Sequence, residues 1–168
     1  MLLTALGGIL RNCVRKGRNE ATPDDEFKVF PALNPQVVYH LAPLVKEVPG
    51  STHDPETFLA SLYEGILQRR EYVWVVTEGE MVRGYAIVFP PGPKCRAATI
   101  YHAYITAGCP MWVAPTMLAQ ITKWAIAAGA EGLLMTTTRD EVKAWQHLGF
   151  EKVADCYAIR FKGETTDE

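Results

Sequence analysis

The chain has no pair of cysteines close enough to form a C-x-x-C motif, and no run of charge of one sign. Its four cysteines, Cys13, Cys95, Cys109 and Cys156, are scattered. That spacing excludes the common zinc and redox motifs and points to reduced thiols in a chain of this size. Seventeen basic residues stand against nineteen acidic ones, for a formal net charge of -2. A nucleic-acid-binding domain normally carries a clear basic excess, so nucleic acid is not an expected partner. No apolar run approaches the ~20 residues that span a bilayer. The apolar stretch Met1 to Leu10 is followed, not preceded, by Arg11, Arg15, Lys16 and Arg18. That is the reverse of a secretory leader. The expectation is a soluble protein, cytoplasmic or in a virion, and not secreted.

What remains is ordinary globular composition: 168 residues, 48% hydrophobic and 21% charged. That length suits one domain with a real core. Residues 1–25 read as an amphipathic helix and a polar linker, and residues 26–168 as the domain. Leu2, Leu6, Ile9, Leu10 and Cys13 recur at helical spacing on one stripe. Three readings of that helix stay open. It docks on another protein, folds back on its own domain, or lies at a membrane interface through Arg11 and Arg15. Docking on another chain, within an oligomer or larger assembly, is the first choice.

Along the domain the period changes several times. Phe27 to Leu33 alternates as a strand, and Pro31 pushes it to an edge. Asn34-Pro35 and Asp54-Pro55 each open a helix with a capping side chain and a proline in the first turn. The second helix is expected to bury Phe58, Leu59, Leu62, Tyr63, Ile66 and Leu67. Its end, Gln68 to Glu71, reads as solvated. Tyr72 to Thr77 and Met81 to Phe89 form a hairpin across Glu78-Gly79-Glu80. Ala97 to Thr106 is the next strand. A helix runs from Ala114-Pro115 to about Ala128, closed by Gly129. Leu133 to Thr138 is a short buried strand. Asp140 caps a last helix ending at Gly149, and Phe150 to Phe161 is the final strand. A strand, helix, strand unit after a hairpin predicts a mixed sheet, with the strands at Ala97 and Leu133 parallel. The fold class is α/β (α+β).

This order resembles the GNAT acetyltransferase superfamily over about Glu26 to Phe161. The carriers are TRDEVKAWQHLGF at 138–150, the hairpin GEMVRGYAIVF at 79–89, and the unit TMLAQITKWAIAAGAEGLLMTTT at 116–138. The resemblance implies a site for acetyl-CoA between the fourth and fifth strands. It also implies a glycine-rich loop whose backbone N–H groups hold the pyrophosphate at a helix N-terminus. The equivalent loop is TAGCPMWVAP, 106–115. It offers Thr106, Ala107, Gly108, Trp112 and Val113 as the degenerate acyl-CoA contacts. It holds two prolines, which lack an N–H, and no Arg, Lys or Gln. The tyrosine that many members place four residues before the Leu-Gly-Phe glycine, as acid for the leaving thiolate, is Trp145 here, and an indole is no proton donor near neutral pH. The asparagine that often opens the segment is Thr138.

Two function classes follow. The first is a non-enzymatic GNAT-fold structural or interaction protein without a cofactor. In this it resembles the small internal virion protein of short-tailed bacteriophages, which has the same two losses. The second is an acetyl-CoA-dependent N-acyltransferase acting on a primary amine. There His102, with Tyr104 on the same strand face, is the candidate base, and Tyr101 faces away. Cys109 before a helix is a weak candidate nucleophile. Met111, Trp112, Met117 and Trp124 line an acyl pocket or simply fill core. No metal site is expected.

Overall fold

The computed structural model describes residues 27–48, 54–135 and 146–150. The helix expected at the N-terminus, the boundary at residue 25, the cap at Asp140, Trp145 and the final strand lie outside the described residues.

Among the described residues, five strands form one sheet in the order β1 (Phe27–Ala32), β2 (Tyr72–Glu78), β3 (Met81–Phe89), β4 (Ala97–Ile105) and β5 (Gly132–Met135). The first three junctions are antiparallel. The fourth is parallel, with Ala97 opposite Gly132 and Ile100 opposite Met135. Residues 113–127 supply the crossover helix between them. The sheet is therefore mixed, as the helix between the two strands requires. Pro31, which cannot donate to a ladder, sits on β1, the strand at the sheet's edge. β1 stops at Ala32, and Leu33, expected within it, is 79% exposed. Gly79, at φ 60°, opens the tight turn between β2 and β3.

Two helices cover one face of the sheet. A 3-10 turn at Pro35–Val37 leads into α1 (Val38–Glu47), with the Asn34 side chain accepting the Gln36 N–H at 3.0 Å. α2 (Pro55–Leu67) opens on Asp54, whose carboxylate accepts the Thr57 N–H at 2.8 Å. Val38, Leu41, Leu44 and Val45 of α1 and Leu62 and Ile66 of α2 pack on Val73, Val75, Tyr85 and Ile87 of the sheet. Leu67, expected on this buried stripe, is 59% exposed because the helix ends there and turns away.

Among the described residues, α3 (Val113–Ala127) is the helix that packs on the other face. It begins at Val113, one residue before the expected start. Val113, Met117, Ile121 and Ala125 pack on Trp74, Val76, Ala86, Val88, Ala98 and Ile100. Trp124 meets Tyr72 and Trp74 with ring centroids 4.7 and 5.1 Å apart, so it serves the core here. Gln120 of α3 reaches the β1 edge and donates to the Val29 carbonyl at 2.9 Å.

Candidate functional site

The chemistry collects on the face under α1 and α2, and an irregularity in β4 puts it there. The β3–β4 register shifts between Ile87 and Val88: Ile87 pairs with His102, and Val88 with Ile100. Tyr101 is the extra residue. A bulge puts two successive side chains on one side and breaks the period of two. Tyr101 therefore packs against the same cluster as Tyr104, rather than on the opposite face as the alternation of β4 implied. His102 joins them, with its ring 5.0 Å from that of Phe58 in α2 and stacked at 5.6 Å on Tyr85, only 4° from parallel. The Tyr85 hydroxyl lies 3.1 Å from Nδ1 of His102.

Two carboxylates reach this face. Tyr104 donates to Oε2 of Glu47, at the end of α1, at 3.5 Å. The phenol of Tyr101 lies near Glu71, and its ring stacks on Phe89 at 4.3 Å. Glu71, expected at a solvated helix end, is half-buried. Its Oε2 is inaccessible to water and has no hydrogen-bond partner among the described residues. Burial pushes its pKa up, against the opposing pull of the Tyr101 hydrogen bond and the nearby Arg70. Burial, then the Glu71 charge, also pushes the Tyr101 phenol above its ordinary value. The carboxyl of Glu71 lies flat on Gly65 of α2, where a Cβ would come within 2.5 Å of its Cδ. The sequence singles out neither Tyr85 nor Gly65, and marks Glu71 only as part of a solvated helix end. Only the sheet register brings Tyr85 to His102, and only the turn after α2 brings Glu71 to Gly65.

The loop after β4 is tied to β3 at one point. The Arg83 carbonyl accepts the Thr106 N–H at 2.9 Å, and Cys109 Sγ lies 3.9 Å from the same oxygen. Thr106 Oγ1 is also 3.6 Å from that sulfur. Cys109 is a half-buried thiol held by these contacts, and Cys95 is exposed; both are unpaired. Gly108 takes φ 89°. The Val113 N–H is engaged by the Pro110 carbonyl at 3.1 Å, and the Thr116 N–H by Trp112 at 3.0 Å. Pro115 has none to offer. The N–H groups of Ala107, Gly108, Cys109 and Ala114 make no backbone hydrogen bond among the described residues. Arg83 stands next to Gly84, which pairs with Ile105 just before the loop. Its Nε lies 3.3 Å from Glu78 Oε2, an ion pair by distance whose geometry makes no hydrogen bond. Met111, read as acyl-pocket lining or core, is 95% exposed, whereas Val113 is fully buried and Trp112 packs on the α3 core.

Beside α3 runs a groove of about 560 Å³, lined by Pro115, Leu118, Thr122, Lys123, His147 and Leu148 among others. Among the described residues there is no cluster of three or more metal-ligating side chains, and no helix long and apolar enough to cross a membrane.

Solved structures similar to this one include acetyltransferases. A probable acetyltransferase superposes with a TM-score of 0.64 at 18% identity, covering 80% of this chain and 99% of that one. The aminoglycoside acetyltransferase AAC(6')-Iy, in complex with a bisubstrate analogue of CoA, gives 0.67 at 16% identity over 81% and 98%. The ribosomal-protein-alanine N-acetyltransferase of Brucella melitensis biovar Abortus 2308 gives 0.63 at 15% over 80% and 99%. The fold is that of the GNAT acetyltransferases. At these identities the likeness speaks for the fold alone. No protein-family model matches the sequence, and no curated protein matches it. On the GNAT scaffold, the Thr106–Pro115 loop stands between the parallel strands, at the N-terminus of the crossover helix.

Proposed function

We propose that this chain is a GNAT-fold interaction protein whose acyl-CoA site no longer holds the cofactor. The observation that carries this reading is the loop at the head of α3. The Thr106 and Val113 N–H groups of that loop are engaged by backbone carbonyls, two positions are proline, and the Nε of Arg83 lies against Glu78. A pyrophosphate brings at least two negative charges, and each charge-assisted hydrogen bond lost removes roughly 1.5–3 kcal/mol. Partner binding falls to the N-terminal stripe of Leu2, Leu6, Ile9, Leu10 and Cys13. Four large aliphatic side chains gain roughly 6–12 kcal/mol on full burial before ordering costs. A virion as the setting rests on the sequence resemblance alone. Calorimetric titration with acetyl-CoA is the test. No measurable heat of binding is expected, and a dissociation constant in the low micromolar range overturns the reading. Deleting residues 1–20 should abolish assembly with the partner, and unchanged assembly rules out docking through this segment.

A second reading has its own support, since the neighbours are acetyltransferases and Met111 does not plug the loop. In it a primary amine attacks the thioester directly, with backbone N–H groups polarising the carbonyl. Its signature is thiol released from acetyl-CoA only when an amine is supplied.

A further inference from the structure

We infer that Gln120 and Pro31 together hold the outer edge of β1 shut against strand addition by a second copy of this chain. Among the described residues β1 is the outermost strand on its side of the sheet. Pro31 pairs with Trp74 in a β1–β2 register that runs without a break from Phe27 to Ala32. Proline has no N–H, so Pro31 can only occupy a pair that exchanges no hydrogen bonds, with its nitrogen turned away from β2. Backbone groups alternate along an antiparallel strand, so Phe27 and Val29 turn the same way as Pro31. Their N–H and C=O groups form the outer edge. The contact from α3 agrees: the Gln120 amide donates to the Val29 carbonyl at 2.9 Å, from a part-buried position.

This edge invites pairing. FKVFPA carries a single charge, on Lys28, and two phenylalanines and a valine favour strand. Beside it, between β1 and α3, lies a groove of about 410 Å³ lined by Pro31, Leu33, Tyr72 and Trp124 among others. Leu33, just past the strand, is 79% exposed. A second β1 laid antiparallel on this one would cover that apolar surface and extend the sheet. It would need the outward groups of Phe27, Val29 and Pro31. Gln120 already occupies the central acceptor, and Pro31 has no donor at one end. An incoming strand therefore meets a ladder broken in the middle and at one end, and an N–H buried there without an acceptor is costly. The inference concerns the sheet edge alone. It is independent of the loss of acyl-CoA and of docking through the N-terminal stripe.

The test compares the full chain with Gln120→Ala, Pro31→Val and the double variant, by sedimentation velocity and by amide exchange over a range of protein concentration. Both substitutions suit their elements, since alanine favours helix and valine strand. The double variant is expected to exceed wild type in mean mass, and its Phe27 and Val29 amides should gain protection as concentration rises. Each single variant should show the same change to a smaller degree. Gln120→Lys in the Pro31→Val background keeps a donor for the Val29 carbonyl and should restore wild-type behaviour. Association through the N-terminal stripe leaves exchange at Phe27 and Val29 independent of concentration, so the two contacts are read apart. Wild-type amides at these positions that already gain protection with concentration overturn the inference, because the edge is then open. A double variant that matches wild type in both mass and exchange overturns it as well, as does association that Gln120→Lys leaves unchanged. Should Pro31→Val not fold, Gln120→Ala alone decides it by the same two readouts.

Discussion

The helices that close the sheet from opposite sides end in the same turn, one on a glycine and the other on an arginine. After α3, the Gly129 N–H bonds to the Ile126 carbonyl at 3.0 Å and the Ala130 N–H to Ala125 at 2.9 Å. After α2, the Arg69 N–H bonds to Ile66 at 3.0 Å and the Arg70 N–H to Gly65 at 2.8 Å. Both are Schellman turns, and both need a left-handed residue: Gly129 at φ 82° and Arg69 at φ 56°. Glycine takes that conformation without strain, whereas a side chain there costs roughly 1–2 kcal/mol. The strained end belongs to the face that holds His102, Tyr101 and Tyr104. Its turn also swings Glu71 back, so that the Glu71 N–H bonds to the Gly65 carbonyl at 3.2 Å and the carboxyl lies on Gly65. The α3 face is almost wholly apolar and relaxed. Strain and polar groups thus share one side of the sheet, which is the pattern of a face shaped for more than packing.

If the faces differ only in their polar groups, their cores should cost the same to damage. Ile121→Ala under α3 and Leu62→Ala in α2 each remove a side chain that is 1% exposed. Each should lose about 2–5 kcal/mol in urea unfolding. A loss below about 1 kcal/mol for Leu62→Ala alone would mean that the polar face is loosely packed, and the contrast would need another basis. Next in size is Gly84→Ala. A Cβ there meets the Tyr104 carbonyl oxygen at 2.9 Å and the Ile105 Cα at 3.1 Å. Backbone cannot swing aside as a side chain can, so a loss of roughly 1–3 kcal/mol is expected.

What could be read from the sequence were the features that one residue decides locally. Asn34 and Asp54 cap because their short side chains reach an N–H two or three residues on. Pro31 marks an edge because it lacks a donor. Gly129 closes a helix because it has no Cβ. The parallel pair followed from the helix between its strands. What could not be read depends on register. Nothing in ATIYHAYI marks Tyr101 as the bulged residue, since the run is apolar or aromatic at nearly every position. Without the bulge, alternation sends Tyr101 to the wrong face. Glu71 follows two arginines, so its charge looked like part of a solvated end. Its burial hangs on an arginine adopting a glycine's backbone conformation, which propensity argues against. The candidate site was therefore only half visible, with His102 and Tyr104 in view and their partners Tyr85 and Glu47 hidden.

The two helix ends make a direct comparison. Gly129→Ala should cost about 1 kcal/mol, because the left-handed turn must then carry a side chain. Arg69→Gly should gain about 0.5–1 kcal/mol, the relief of strain less the extra freedom of glycine in the unfolded chain. Thermal or urea unfolding of the pair reads both signs. If Arg69→Gly is instead destabilising, the arginine side chain makes contacts that outweigh its backbone, and the strain argument fails.

Glu71→Gln gives the smallest effect and the sharpest test of the polar face. Burial raises the Glu71 pKa above its ordinary value in the folded chain. A group raised on folding favours the native state while it is protonated in both states. That contribution is present below the unfolded pKa of ~4.3 and is lost as pH climbs through the folded value. Wild type should therefore lose stability relative to Glu71→Gln as pH rises from about 4 toward 7. Glutamine keeps the shape without the charge. Because Glu71 is only half-buried, water screens much of the penalty, and the gain at neutral pH should stay under about 1 kcal/mol. The measurement is the difference in unfolding free energy between the two proteins across that range. A difference that stays flat with pH would mean that the carboxylate is solvated in the native state. A difference of the opposite sign would mean that Tyr101 and Arg70 hold the charged form, so that the carboxylate helps to stabilise this face at neutral pH.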